Sequence, residues 1–188
     1  MNVEYIAEGF REWLPALTEK ALEAYRRAIS WRNFLVGCAV LASRKGEGYQ
    51  IFAGANCKTE KNGYPICAEQ VAIMAAVAEG YDRIHCLVVV GKAQKDESGV
   101  LRETLHPCAK CRQILYDIIT RKVDSDILDF NTILFMKDPE SGKEEIMTPK
   151  ELFNIHQMKL LTGMLYSPTL REVLLEHPEV RFWQSCEI

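Results

Sequence analysis

Two short cysteine-bearing segments, Cys67-Ala68-Glu69 and Pro107-Cys108-Ala109-Lys110-Cys111, constrain the fold of this chain more than any other feature. Each opens a helix, and each helix follows a strand by way of a loop. In an open α/β sheet such loops gather beyond the carboxyl ends of the strands, where ligands bind. Three thiols are therefore expected to converge from two helix N-termini. Cys108 and Cys111 share one face of a helical turn and can grip one ion together, with Cys67 as the third ligand. The partial positive charge of a helix N-terminus favours thiolate, the form that binds metal. Thiolates suit zinc, and three protein ligands with one open position make a catalytic site, whereas structural sites are closed by a fourth. Cys57 is a candidate for that closing role, but an open site accounts better for Glu69. Beside a metal-activated water, the Glu69 carboxylate can take a proton and hand it on. Without its neighbours, Glu69 would read as a complement to the helix dipole.

The hydrophobic pattern supplies the frame. Leu14, Leu17, Ala21, Ala24, Tyr25 and Ala28 recur at helical spacing. Phe34 to Ala42 is a near-continuous apolar run, read as a strand buried on both faces. A turn over Arg44 to Gly48 leads to a second hairpin strand, Tyr49 to Ala55. A polar loop, 56–66, contains Asn62-Gly63 and Pro65. Val71, Met74, Ala75 and Ala78 mark the apolar stripe of a helix that starts near Cys67 and that Gly80 ends. Ile84 to Gly91 is the next buried strand, followed by a long charged loop, 92–106. Pro107 takes the first helical position of a helix whose stripe is Cys111, Ile114, Leu115 and Ile118. A further strand covers 131–136. Alternating strands and helices imply parallel pairing through right-handed crossovers, beside one antiparallel hairpin. The expectation is an α/β fold: a three-layer α/β/α domain with a mixed sheet of about five strands. Thr148-Pro149-Lys150-Glu151 is a capping box, and Ser167-Pro168 is a second helix start. This divides the chain into a zinc domain over 1–152 and a helical extension over 153–188.

Composition narrows the function. The formal net charge of the 188 residues is −3, with no basic stretch. Phosphate contacts dominate nucleic-acid affinity, so a small free substrate fits better than a polynucleotide. No run approaches the roughly 18 apolar residues of a membrane span. The start, Met1 to Phe10, has acids but no basic residue, unlike a signal peptide. An odd count of seven cysteines fits thiols or metal ligands in a cytosolic protein better than a disulfide framework. Cys38 and Cys86 read as core hydrophobes within strands. His106 reads as a loop residue beside the metal motif rather than a ligand.

A cysteine triad, a non-ligating Glu and Pro-Cys-x-x-Cys together form the zinc-deaminase arrangement. The chain resembles the cytidine deaminase family, in its free-nucleoside Cys-Ala-Glu branch. The likeness runs from Trp31-Arg32-Asn33-Phe34-Leu35-Val36-Gly37-Cys38-Ala39-Val40, through Gly54-Ala55-Asn56 and Cys67-Ala68-Glu69, to Pro107-Cys108-Ala109-Lys110-Cys111-Arg112-Gln113. The resemblance implies Zn²⁺ on Cys67, Cys108 and Cys111, with Glu69 as the proton carrier. It implies that Phe34 packs near the pyrimidine ring, Asn56 bonds the sugar and the Ala68 backbone contacts the base. Arg112 offsets the charge of three thiolates, which leave about −1 on the zinc site. Taken singly, Phe34 reads as core, Asn56 as a turn former and Lys58 as a solvated charge, while beside the expected site all three, Lys58 included, are candidate substrate contacts. Two departures stand out: Asn56-Cys57-Lys58 replaces the family's Asn-x-Glu, and Gln70 replaces an Arg. Blasticidin S deaminases, a related branch, also lack that Arg and that Glu. The implied activity is deamination of cytidine or deoxycytidine, as in pyrimidine salvage. The alternatives are a cytosine nucleoside antibiotic or modified pyrimidine as substrate, and a non-catalytic zinc module. The resemblance also implies a homo-oligomer, dimer or tetramer. The tail, with Phe182 and Trp183, is a candidate to mediate it or to cap a site.

Overall fold

The computed structural model describes residues 9–59, 65–95, 99–121 and 127–156. The Asn62-Gly63 turn, the Ser167-Pro168 helix start, Phe182 and Trp183 lie outside them. Along the chain run α1 (Leu14–Arg26), β1 (Ile29–Ser30), β2 (Val36–Ser43), β3 (Gln50–Ala55), β4 (Cys57–Lys58), α2 (Ala68–Ala78), β5 (Arg83–Gly91), α3 (Ala109–Arg121), β6 (Ile133–Lys137), β7 (Glu144–Met147) and α4 (Pro149–Ile155). Five strands form one mixed sheet in the order β3-β2-β5-β6-β7. Among the described residues no helix is long and apolar enough to cross a membrane.

Strand β2 is buried at every position but its last, as an apolar run requires of a central strand. It pairs antiparallel with β3 on one side and β5 on the other. Within this sheet the parallel pair is β5 and β6, which α3 joins; outside it, β1 and β4 form a short parallel pair of their own. Strands β3 and β5 run the same way but are not neighbours, because β2 lies between them.

Successive residues of a strand face opposite layers. At Gly37 an added Cβ would come within 2.0 Å of the Ala21 carbonyl oxygen, so α1 covers that face. Cys38 pairs with Gly54 in register. A Cβ at Gly54 would meet the Ala68 carbonyl oxygen at 2.5 Å and the Ala72 nitrogen at 2.6 Å, so α2 covers the other face. The α1 side of the core packs Leu17 and Ala21 with Ala39, Leu41, Cys86, Val88 and Phe135. Both Cys38 and Cys86 are core residues, fully buried.

The buried face of α2 differs from the expected stripe. Ala68, Glu69, Ala72, Ile73 and Ala76 are buried, while Met74 and Val77 are exposed. The helix is apolar nearly all the way round, so periodicity does not select a face. Small residues do: Ala68, Ala72 and Ala76 let the helix settle onto Gly54. Helix α3 begins at Ala109 rather than Pro107. Its first helical hydrogen bond runs from the Arg112 N–H to the Cys108 carbonyl at 2.8 Å, so Cys108 is the N-cap and Pro107 lies outside. Strand β7 supplies the fifth strand, paired antiparallel with β6. Glycine 80, with φ +79°, follows the last residues of α2 as expected.

The chain forms two units. Met1–Pro149 contains the sheet and α1 to α3; Lys150–Ile188, described as far as His156, contains all of α4 but its first residue.

Candidate active site

Cys67 and Cys108 hold corresponding places as N-cap residues of α2 and α3. Their Sγ atoms are 3.6 Å apart, and with the Cys111 Sγ all three lie within 4.8 Å of one another. Tetrahedral zinc with Zn–S bonds of about 2.3 Å spaces its sulfurs about 3.8 Å apart, so this donor set fits such an ion. Among the described residues no other ligand joins the group; Cys57 is not part of it.

Sulfur chemistry at the cluster is cooperative. Hydrogen bonds from Cys111 and Cys67 hold the Cys108 thiol well below its ordinary value. The same contacts to Cys108, with burial, push Cys67 and Cys111 up. A divalent ion bound by all three sulfurs would displace the protons they carry. Gln70 has a local duty here: its Oε1 accepts the Cys67 N–H at 3.2 Å, fixing the start of α2. Arg112 is buried and its Nη1 donates to the Pro107 carbonyl at 2.7 Å. Its charge therefore sits on the turn that carries Cys108 and Cys111.

Glu69, in the first turn of α2, is 4% exposed. Burial, followed by the charge on Cys108, raises its carboxyl to about 7; its own backbone N–H, Cys111 and Lys58 partly offset this. A carboxyl poised there can both accept and return a proton near neutral pH.

Cys67 and Cys108 open onto a cleft of about 300 Å³, its mouth and the open solvent there included. Its lining brings Cys67, Ala68, Glu69 and Cys108 together with Phe34, Asn56 and Lys58, and Val36, Leu105 and His106 complete it. Cys111 and Arg112 are buried and do not line it. A wider surface depression, lined by Arg44, Phe52, Glu79 and Tyr81 among others, contains no thiol.

The Phe34 wall is shaped by backbone. The Ser30 Oγ accepts the Phe34 N–H at 3.0 Å, and Asn33 adopts φ 56°, a conformation Asn tolerates. Asn56, 1% exposed, ties the wall down: its Nδ2 donates to the Phe34 carbonyl and its Oδ1 accepts the Val36 N–H, both at 2.8 Å. One amide hydrogen of Asn56 is left for a ligand. The Lys58 ammonium lies 4.2 Å from the centroid of the Phe34 ring.

Two of the lining residues, Leu105 and His106, had no functional reading in the sequence. Leu105 lines the cleft. His106, read as a loop residue, is buried and lines it too, with Nε2 2.9 Å from Glu145 Oε2. Thr104 Oγ1 donates to the same Glu145 oxygen at 2.7 Å. Burial pushes the Glu145 carboxyl up, but the bonds from Thr104 and His106 outweigh it and leave it below its ordinary value. Asp138 anchors the entry to the 92–106 loop, accepting the Ala93 N–H at 2.7 Å and those of Glu140 and Ser141 at 2.8 Å.

The comparisons with known proteins agree with this geometry. The sequence model of the cytidine and deoxycytidylate deaminase zinc-binding region matches residues 11–125. A probable cytidine deaminase of Dictyostelium discoideum is 34% identical over 83 residues, 44% of this chain and 49% of that protein. The match thus spans about half the length of that relative. The solved cytidine deaminase of Burkholderia pseudomallei is 25% identical, with a TM-score of 0.53 over 74% of this chain and 94% of its own. The Mycobacterium leprae cytidine deaminase, at 24% identity and TM-score 0.50 over 73% and 94% of the two chains, shares the fold.

Proposed function

The chain belongs to the cytidine and deoxycytidylate deaminase zinc-binding family, and on that premise we propose that it hydrolytically deaminates a cytosine nucleoside, cytidine or deoxycytidine first among them. The observation that carries this reading is a buried carboxyl, Glu69, sharing one cleft with thiols spaced for a metal ion.

Cys67, Cys108 and Cys111 would hold Zn²⁺. When bound, zinc supplies a Lewis acid that makes water a nucleophile near neutral pH. Glu69 takes a proton from the attacking water and gives it to N3 of the ring. The water oxygen bonds to C4, the C4–N bond breaks, and Glu69 passes the second proton to the amine, which leaves as ammonia. The products are the uracil-type nucleoside and one ammonia, balancing one water consumed. Phe34 offers its ring to the pyrimidine, the Ala68 backbone meets the base, and the remaining Asn56 N–H reaches the sugar. Arg112 offsets the sulfur charge from behind the ligands.

A second reading, deamination of a cytosine nucleoside antibiotic or another modified pyrimidine, is favoured by Lys58 in the lining. A non-catalytic zinc module gives Glu69 no reason to be held in the cleft. Replacing Glu69 with Ala tests the reading. Zinc content by elemental analysis should be unchanged, while ammonia release from cytidine should fall by about 10²- to 10⁴-fold. Undiminished turnover would remove Glu69 from the mechanism.

The chain is proposed to form a homo-oligomer. Exposed Ile29 in β1, Ile66 on its bridge to Cys57, and Trp31, whose N–H bonds the Lys58 carbonyl just after β1, support this. Light scattering of the full chain reading a monomer would overturn it.

A further inference from the structure

Deamination accounts for the thiols, Glu69 and the Phe34 ring, but gives Lys58 no task. Its backbone is held firmly: β4 pairs with β1 through Ser30 and Lys58, and the Trp31 N–H bonds the Lys58 carbonyl at 3.2 Å. From that anchor the side chain turns into the cleft lining and sets its ammonium over the Phe34 ring. Among the described residues it makes no ion pair and no side-chain hydrogen bond. A partly buried ammonium with only a ring face beside it has donors to spare.

The neighbouring side chains have few acceptors to offer a ligand. Asn56 has spent its carbonyl on Val36 and keeps one N–H. Phe34, Val36 and Leu105 are apolar, and the His106 ring is engaged by Glu145. Glu69 is committed to proton transfer. Sugar hydroxyls can accept from these donors, but their own O–H groups would find few side-chain acceptors on this wall. An anionic group accepts only, and matches it.

We propose that this site selects a cytosine derivative carrying an anionic group, carboxylate or phosphate, on the moiety attached to the ring, and that Lys58 is the residue that reads it. The proposal rests on the deaminase reading for the ring and extends it to the rest of the substrate.

Binding of product-form ligands tests it without turnover. Uridine, uridine 5′-phosphate and uridine 5′-carboxylate are titrated calorimetrically into zinc-loaded full chain, as wild type, Lys58→Met and Lys58→Arg. At least one anion should bind wild type about tenfold more tightly than uridine, the scale of one charge-assisted hydrogen bond. Which anion does so identifies the chemistry of the group. The preference should persist in Lys58→Arg, vanish in Lys58→Met and shrink as salt rises. Equal affinity of wild type for all three ligands, or a preference that survives Lys58→Met, overturns the proposal. Should Lys58→Met fail to fold, wild type and its salt dependence still decide. Ammonia release from the cytosine counterparts is measured in parallel. Its absence for every compound counts against deamination, while the binding comparison decides Lys58 separately.

Discussion

The two helices that bring the thiols together are seated by opposite means. Helix α2 rests on contact: Gly54 clears the space for the backbone of Ala68 and Ala72 and for the Cβ of Val71. Helix α3 is reached through a long loop and held by polar ties. Asp138 catches the loop at Ala93, Glu145 catches it at Thr104 and His106, and Lys110 reaches the Pro65 carbonyl at 3.2 Å. Shape complementarity is indifferent to pH and intolerant of added volume. Carboxylate ties tolerate volume and depend on charge. Glu69 therefore belongs to the half whose position is set by packing, and only Cys108 and Cys111 belong to the half that acid can loosen.

The contrast is broken most drastically at the ligands, where the halves should be equivalent. Either Cys67→Ala or Cys108→Ala should reduce zinc from one equivalent to near none after dialysis, since two sulfurs remain in each case. A full equivalent retained in one of them would show that half to be dispensable. Next in size comes Gly54→Ala. The new Cβ would collide with helix backbone, which cannot swing aside, and should cost about 3 kcal/mol in denaturant unfolding. An unchanged midpoint would mean that α2 is not seated as described.

The smallest effect separates the halves by pH. Burial raises the Asp138 carboxyl, but the N–H groups of Ala93, Ser141 and Glu140 outweigh it and hold it below its ordinary value, as Thr104 and His106 do for Glu145. A folded-state value below the unfolded one gives stability that is complete above the unfolded value and lost as pH falls through the folded one. The loss thus lies below about pH 4. Hydrogen exchange below about pH 4 should release the amides of 92–95 and 99–106 before those of β2 and β5. Simultaneous release would show that the ties do not act as a separate clasp.

The same division governs how much could be read from the sequence. The thiols and Glu69 were legible because their chemistry is compressed into a few consecutive residues beside helix starts. Strands β2 and β5 were legible as unbroken apolar runs. Strand β7 was not, because Glu144-Glu145-Ile146-Met147 shows no alternation, and Glu145 was lost with it. The face of α2 was misread because a helix apolar on all sides offers no stripe, and the deciding partner, Gly54, is on another element. Lys58 was visible as a departure from the family pattern. Its place over Phe34 comes from the β1–β4 pairing, two residues on each side and too short to leave a pattern.

Asn56 has a consequence for how the cleft meets a ligand. With its amide clasping both Phe34 and Val36, the aromatic wall stands ready before anything arrives. A ring entering the cleft spends none of its affinity on ordering that wall. On the proposed reading, recognition at the base resembles a key meeting a finished lock, and adaptation is left to the longer side chain of Lys58.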